Sequence, residues 1–258
     1  MKSITLYTEK DTPVHKTDPL CKVLYVLVAL LAPVLIGGKT AALGMILVSF
    51  VILGIGKVIR KTLPLLGFSM LILVTVIIIQ GLFRQGNVTP FITFGKVVFY
   101  KEGLSYAFKI VLNVINIILS FAILILTTKP SDMVEAFVRI GLSPKLGYVM
   151  GSVFQIVPQM SESMQTITDA QRSRGMETEG KLMTRIKAFF PLISPVVMNS
   201  LITTKERAIA LEVRGFSSSE KKTFLSEEMK RSSDKVIKII LLAVLAAALI
   251  WRIVSWLV

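Results

Sequence analysis

From Leu63 to Phe83 the chain carries no charged residue, and within it Leu71–Ile79 is broken only by Thr75. At ~1.5 Å per residue, a helix of this length crosses the ~30 Å hydrocarbon layer of a bilayer. No water reaches the backbone there, so a helix is the form that satisfies its N–H and C=O groups within one segment. Ala107–Thr127 and Val236–Val258 read as further spans, the latter with Trp251, Arg252 and Trp256 as interfacial anchors. Val23–Ile36 and Ala41–Gly56 are shorter, separated by Gly37, Gly38 and Lys39. They read as two tilted spans in preference to a re-entrant hairpin. About five transmembrane helices are therefore expected. With 53% of its residues apolar and 18% charged, gathered in separate runs, the chain is neither a soluble enzyme nor disordered.

The formal net charge is +14. Positive charge collects on the cytoplasmic side of membrane proteins, and no nucleic-acid-binding motif is present, so nucleic acid is not an expected partner. Lys57, Arg60 and Lys61 crowd the short loop 57–62, whereas the 37–40 loop has only Lys39. That bias predicts a cytoplasmic N-terminus, with 57–62 and 128–235 inside and 84–106 and the C-terminus outside. Cys21 is the single cysteine, read as a small hydrophobe, and His15 the single histidine, read as a surface residue.

Residues 129–235 are a different material, with sixteen basic against twelve acidic residues and apolar positions that are periodic rather than continuous. The expected organisation is a membrane region over 1–127, coupling helices over 128–235, and a final span over 236–258. Ser131 reads as the cap of a short helix reaching about Gly141, and Ser143-Pro144 as the start of a long one. Along the latter, Leu146, Val149, Val153, Ile156, Met160, Met164 and Ile167 form one apolar stripe. Gly175 ends it. A third helix runs from about Met183 to Arg214, through Pro191 and Pro195, and stops at Gly215. On Ala107–Thr127, the polar residues Asn113, Asn116 and Ser120 share one face, predicting hydrogen bonds to a neighbouring helix. Seven of the eleven methionines lie between 130 and 200 and read as flexible core filler.

Both long helices end alike, in Ser173-Arg174-Gly175 and Val213-Arg214-Gly215. Glycine after a helix turns left-handed and closes the last carbonyls, while an arginine there offers a fork of donors beyond the tip. Two such tips suit a partner with two matched acidic or carbonyl-lined grooves, such as a two-fold ATPase dimer.

These paired endings, with Ala170-Gln171 before the first and Ala208 through Glu212 before the second, resemble the T component of energy-coupling factor (ECF) transporters. His15-Lys16-Thr17-Asp18-Pro19-Leu20-Cys21-Lys22 is similar to that family's His-x-Leu-Asp-Pro-Arg-x-Lys stretch, from which Thr17 and Leu20 depart. The resemblance covers essentially the whole chain. It implies an all-α polytopic protein of the prokaryotic plasma membrane, with two long crossed coupling arms. It implies two cytoplasmic ATP-binding-cassette ATPases as partners, docked by Arg174 and Arg214, and a small membrane subunit that binds a vitamin, a vitamin precursor or a transition-metal ion. The T component performs no chemistry itself. The residues agree with that, because no Walker A loop and no nucleophile elbow is present, and neither a cofactor nor a bound metal is expected. Glu162, Asp169, Glu206 and Glu212 read as solvated faces or partners of Arg172 and Arg207. A membrane-embedded enzyme would want ionisable groups inside the spans, and a stand-alone secondary transporter would want inverted repeats.

Overall fold

Eight helices and one hairpin order the chain among the residues that the computed structural model describes, which are 7–86, 88–94, 97–176, 182–218 and 232–257. In chain order these are α1 Pro19–Ile36, α2 Lys39–Ile55, α3 Ile59–Phe83, β1 Pro90–Phe94, β2 Val97–Tyr100, α4 Lys101–Thr127, α5 Pro130–Arg139, α6 Pro144–Ser173, α7 Leu182–Val213 and α8 Ser232–Leu257. The chain is an all-α polytopic membrane protein, the hairpin aside. Helices α1, α3, α4 and α8 are long and apolar enough to cross a membrane; α2 is apolar but has 17 residues. The expected count of five is thus four long helices and one shorter one. Two compact units are present, one of Met1–Ala136 with Met229–Val258, the other of Phe137–Glu228.

The core of the first unit lies among α1, α2, α4 and α8, around Val28, Ala29, Leu53, Leu119, Ile123 and Ala248. Helix α2 runs back along α1, and the Tyr25 hydroxyl meets Ser49 Oγ at 2.6 Å, at matching depths of the two helices. Sequence reading placed no strand between the third and fourth spans. The structure builds a hairpin there, pairing Ile92 with Phe99 and Thr93 with Val98. Helix α4 accordingly begins at Lys101 rather than Ala107, and the Lys101 N–H bonds Thr89 O at 3.0 Å. Gly81 of α3 lies under this hairpin: a Cβ there would sit 2.9 Å from the Phe99 ring and 3.3 Å from Leu104. A glycine lets the helix backbone come this close.

Of the three residues on the polar face of α4, Asn116 makes the predicted bond to a neighbouring helix. Pro33 lies inside α1 and has no N–H, which leaves the Ala29 carbonyl, four residues back, without its helical donor. Asn116 Nδ2 donates to that carbonyl at 2.5 Å, and Ala29 and Ala32 give α4 the room to approach. A freed carbonyl at membrane depth is re-satisfied by a neighbouring helix. Ser120 instead bonds its own helix, at Ile117 O. We expect Asn116→Leu to lower stability by about 1–2 kcal/mol in detergent unfolding. Adding Pro33→Ala returns an N–H to Ala29 and recovers most of the loss. Unchanged stability in Asn116→Leu would overturn the pairing.

The segment before α1 ties the polar end of this unit together. Thr8 N–H donates to Leu126 O at 3.1 Å and Lys22 Nζ to Thr127 O at 2.9 Å, so the last carbonyls of α4 are capped from two sides. Lys129, just past α4, pairs with Glu9 at 2.8 Å and lies over the Tyr7 ring. Lys10 Nζ reaches Lys57 O at 2.6 Å. Asp18 caps α1 through the Leu20 N–H and binds Lys238 of α8 at 2.6 Å. His15 is half-buried rather than a surface bystander: Nε2 meets Thr8 O at 2.9 Å and Nδ1 meets Thr12 Oγ1 at 2.7 Å. Facing a carbonyl, Nε2 carries the proton, and Nδ1 accepts from the hydroxyl. Burial moves the His15 pKa below the usual imidazole value. Cys21 is buried, as a small hydrophobe would be.

In the second unit, Ser143 Oγ accepts the Leu146 N–H and Pro144 occupies the first turn of α6, as the sequence predicts. At the start of α5, a stretch that belongs to the first unit, Ser131 is not the cap. The helix begins at Pro130, and the Met133 N–H bonds Lys129 O, so Ser131 lies inside the first turn. Helix α7 continues through Pro191 and Pro195.

Candidate functional site

The two Arg-Gly endings adopt one geometry. At the end of α6, Gly175 has φ +85°, its N–H bonds Arg172 O at 2.9 Å, and the Met176 N–H bonds Gln171 O at 3.0 Å. At the end of α7, Gly215 has φ +72°, its N–H bonds Glu212 O at 2.9 Å, and the Phe216 N–H bonds Leu211 O at 3.0 Å. This is a Schellman closure in both, with arginine at the cap, glycine in the left-handed position and an apolar residue after it. The turn consumes the terminal carbonyls internally and leaves the arginine side chains at the tips.

Arg174 and Arg214 are exposed, as are Ser173 and Val213, the latter 83% so. Neither guanidinium has an ion-pair partner among the described residues. Ser173 Oγ bonds back to Asp169 O at 3.0 Å, which turns its hydroxyl into the helix. Each tip thus presents a full guanidinium fork beside a glycine with no side chain to hinder approach.

The arms run antiparallel. Arg207 donates to Gln159 Oε1 at 2.8 Å, and the Tyr148 and Phe216 rings meet at 5.3 Å, so the end of α7 lies beside the beginning of α6. From Tyr148 to Arg174 is 26 residues along α6, on the order of 40 Å at the helical rise. The two tips therefore sit at opposite ends of the helix pair. Sequence reading recognised two matched tips but not their opposition, which depends on how α6 and α7 pack.

A polar seam joins the arms, lined by Gln159, Ser163, Asn199, Thr203 and Arg207. The apolar stripe of α6 is divided: Ile156 and Met160 line this seam, whereas Leu146, Val149 and Val153, nearer the start of the helix, are all more than half exposed. The methionines divide as well: Met150, Met183 and Met198 are exposed rather than core filler, Met160 lines the seam, and Met133, Met164 and Met176 are half-buried. Arg207 pairs across the seam with Gln159 rather than with Glu206 on its own helix. Glu162, Asp169, Glu206 and Glu212 are exposed, the solvated faces expected. Among the described residues no three His, Cys, Asp or Glu side chains gather where they could hold a metal ion.

The chain is similar to proteins of one kind. The family model described as "Cobalt transport protein" (CbiQ) matches residues 10–224. A Staphylococcus aureus protein named "Energy-coupling factor transporter transmembrane protein EcfT" is 33% identical over 132 residues, 47% of this chain and 49% of that one. Proteins of the same name from Bacillus selenitireducens and Lactococcus lactis are 26% and 27% identical, the first over 95% of both chains, the second over 96% of this chain and 97% of its own. A family match over most of the sequence, on a polytopic helical protein whose two longest helices end in paired Arg-Gly turns, places this chain in the CbiQ family as a T component, the transmembrane component, of energy-coupling factor transporters.

Proposed function

We propose that this protein is the non-catalytic scaffold that couples ATP hydrolysis by two cytoplasmic ATP-binding-cassette ATPases to uptake through a separate small membrane subunit. That subunit would bind the vitamin, vitamin precursor or transition-metal ion. Residues 1–127 with 236–258 form the membrane region, and 128–235 form the coupling helices. One observation carries the reading: two identical arginine-capped tips, held at opposite ends of one antiparallel helix pair. A single ligand would not need two such tips so far apart, whereas two copies of one ATPase would.

Arg174 with Gly175 engages one ATPase and Arg214 with Gly215 the other. The guanidinium donates to carboxylates or carbonyls in a groove of the ATPase, and the glycine admits its wall. Closure of the ATPase dimer on ATP then moves the tips, and the arms pass that motion to the membrane subunit. The exposed Leu146, Val149 and Val153, with Met150, Met183 and Met198, suit a partner that shifts during the cycle. The N-terminus lies in the cytoplasm. In support, Lys10 bonds the Lys57 carbonyl and Lys129 bonds Glu9, which gathers the N-terminal segment, the basic 57–62 loop and the exit of α4 at one end.

Affinity purification of the full-length chain from its native membrane tests the reading. The expected result is co-purification of two ATPase chains and one small membrane protein. Recovery of the chain alone under conditions that preserve other ABC complexes would overturn it and return attention to a membrane enzyme.

A further inference from the structure

Away from the arms, the first unit holds a slot of about 420 Å³ lined by Lys39, Ile77, Phe91, Lys101, Leu104 and Phe108. Its walls are apolar and its two cations are the first residues of α2 and α4. Helix α2 has no side-chain cap at that end, so its positive terminus lies at the slot along with the two ammonium groups, whereas the start of α4 is met by Thr89 O and carries Glu102 in its first turn. Lys39 is held in place, with Nζ on Ser105 Oγ at 2.7 Å and beside the Phe108 ring.

Among the described residues no acidic side chain lines the slot. Glu102 is the only acidic residue from Pro19 to Thr127, and its carboxylate accepts from the Thr89 hydroxyl and from the Thr89 and Val88 N–H groups. Lys39 begins α2 and Lys57 follows its end, so the slot lies at the opposite end of the bundle from the basic 57–62 loop, ~25 Å away along α2. An occupant has to be anionic at one end and apolar along its length, and has to reach the site from the membrane.

We propose that the slot is a binding site for one anionic phospholipid. Its phosphate lies at Lys39 and Lys101 and the start of α2, and one acyl chain lies along Ile77, Leu104, Phe91 and Phe108. The β1–β2 hairpin supplies the Phe91 wall, which gives this hairpin a purpose beyond closing the loop between α3 and α4.

The test uses the full-length protein in neutral detergent, offered equal amounts of phosphatidylglycerol and phosphatidylcholine with the same acyl chains. Native mass spectrometry counts the lipid retained. One phosphatidylglycerol per chain is expected, with phosphatidylcholine at background. Lys39→Gln or Lys101→Gln lowers retention about fivefold, and the pair about thirtyfold. Both lysines are exposed, so neither substitution removes a core contact, and the single variants serve if the pair fails to fold. Lys57→Gln with Lys61→Gln leaves retention unchanged, and inorganic phosphate does not displace the lipid. Equal retention of the two lipids, wild-type retention in the Lys39 and Lys101 variants, or an equal loss in the Lys57 and Lys61 control would overturn the site and leave only diffuse surface charge.

Discussion

Arg174→Ala combined with Arg214→Ala is expected to abolish transport while the protein still inserts and folds. Each arginine caps a helix whose carbonyls are already closed by backbone N–H groups, and each is exposed. Their removal therefore costs the fold only a few tenths of a kcal/mol. At a docking interface the same group is worth ~2 kcal/mol or more when desolvated against an acidic partner, about thirtyfold in affinity. The tips are far apart, so each single variant is expected to retain one ATPase, with a much greater loss when both are changed. Arg→Lys at either tip does not restore full coupling, because an ammonium lacks the planar fork. Co-purified ATPase and substrate uptake in proteoliposomes are the readouts. Normal uptake by the double variant would contradict the assigned role.

Lys22→Met is expected to destabilise the membrane unit by about 3 kcal/mol, the largest effect of any single substitution considered. Lys22 is 5% exposed; burial disfavours its charge, an effect offset by its bond to the Thr127 carbonyl and by the carboxylates of Asp132, Asp18 and Asp234. Methionine keeps the volume and removes the charge. The Thr127 carbonyl then loses its donor, and Asp234, itself buried, loses a neighbouring cation. Asp18 keeps Lys238, which limits the damage. Cys21 provides the measurement, because it is the only thiol in the chain, it is 1% exposed, and its Sγ lies 3.6 Å from Asp234 O. A thiol-reactive dye during a thermal ramp reports when this corner opens. Labelling of Lys22→Met at the wild-type temperature would mean that the cluster contributes little.

The segment around His15 shows how a motif is visible in sequence before its role is. His15, Asp18 and Lys22 stand out by their likeness to the T-component stretch. Their work became visible only in three dimensions: Asp18 caps α1 and holds α8, His15 braces Thr8 and Thr12, and Lys22 caps α4. The departures at Thr17 and Leu20 leave these contacts intact, since Thr17 bonds only the Pro13 carbonyl and Leu20 acts through its backbone N–H.

What could be read from the residues alone was local. Apolar runs, Ser143-Pro144 as a helix start and Arg-Gly as a helix stop each depend on neighbours within a turn or two, where sequence distance and spatial distance agree. Tertiary structure decided whatever joins distant positions. Asn116 serves a carbonyl 87 positions away that Pro33 left without a donor, and Lys22 serves one 105 positions away. The opposition of Arg174 and Arg214 follows from a seam 48 positions across, and the Lys39–Lys101 slot from two helix starts brought side by side. A buried donor or charge is costly until some partner meets it, and which partner does so is settled by packing, not by order along the chain.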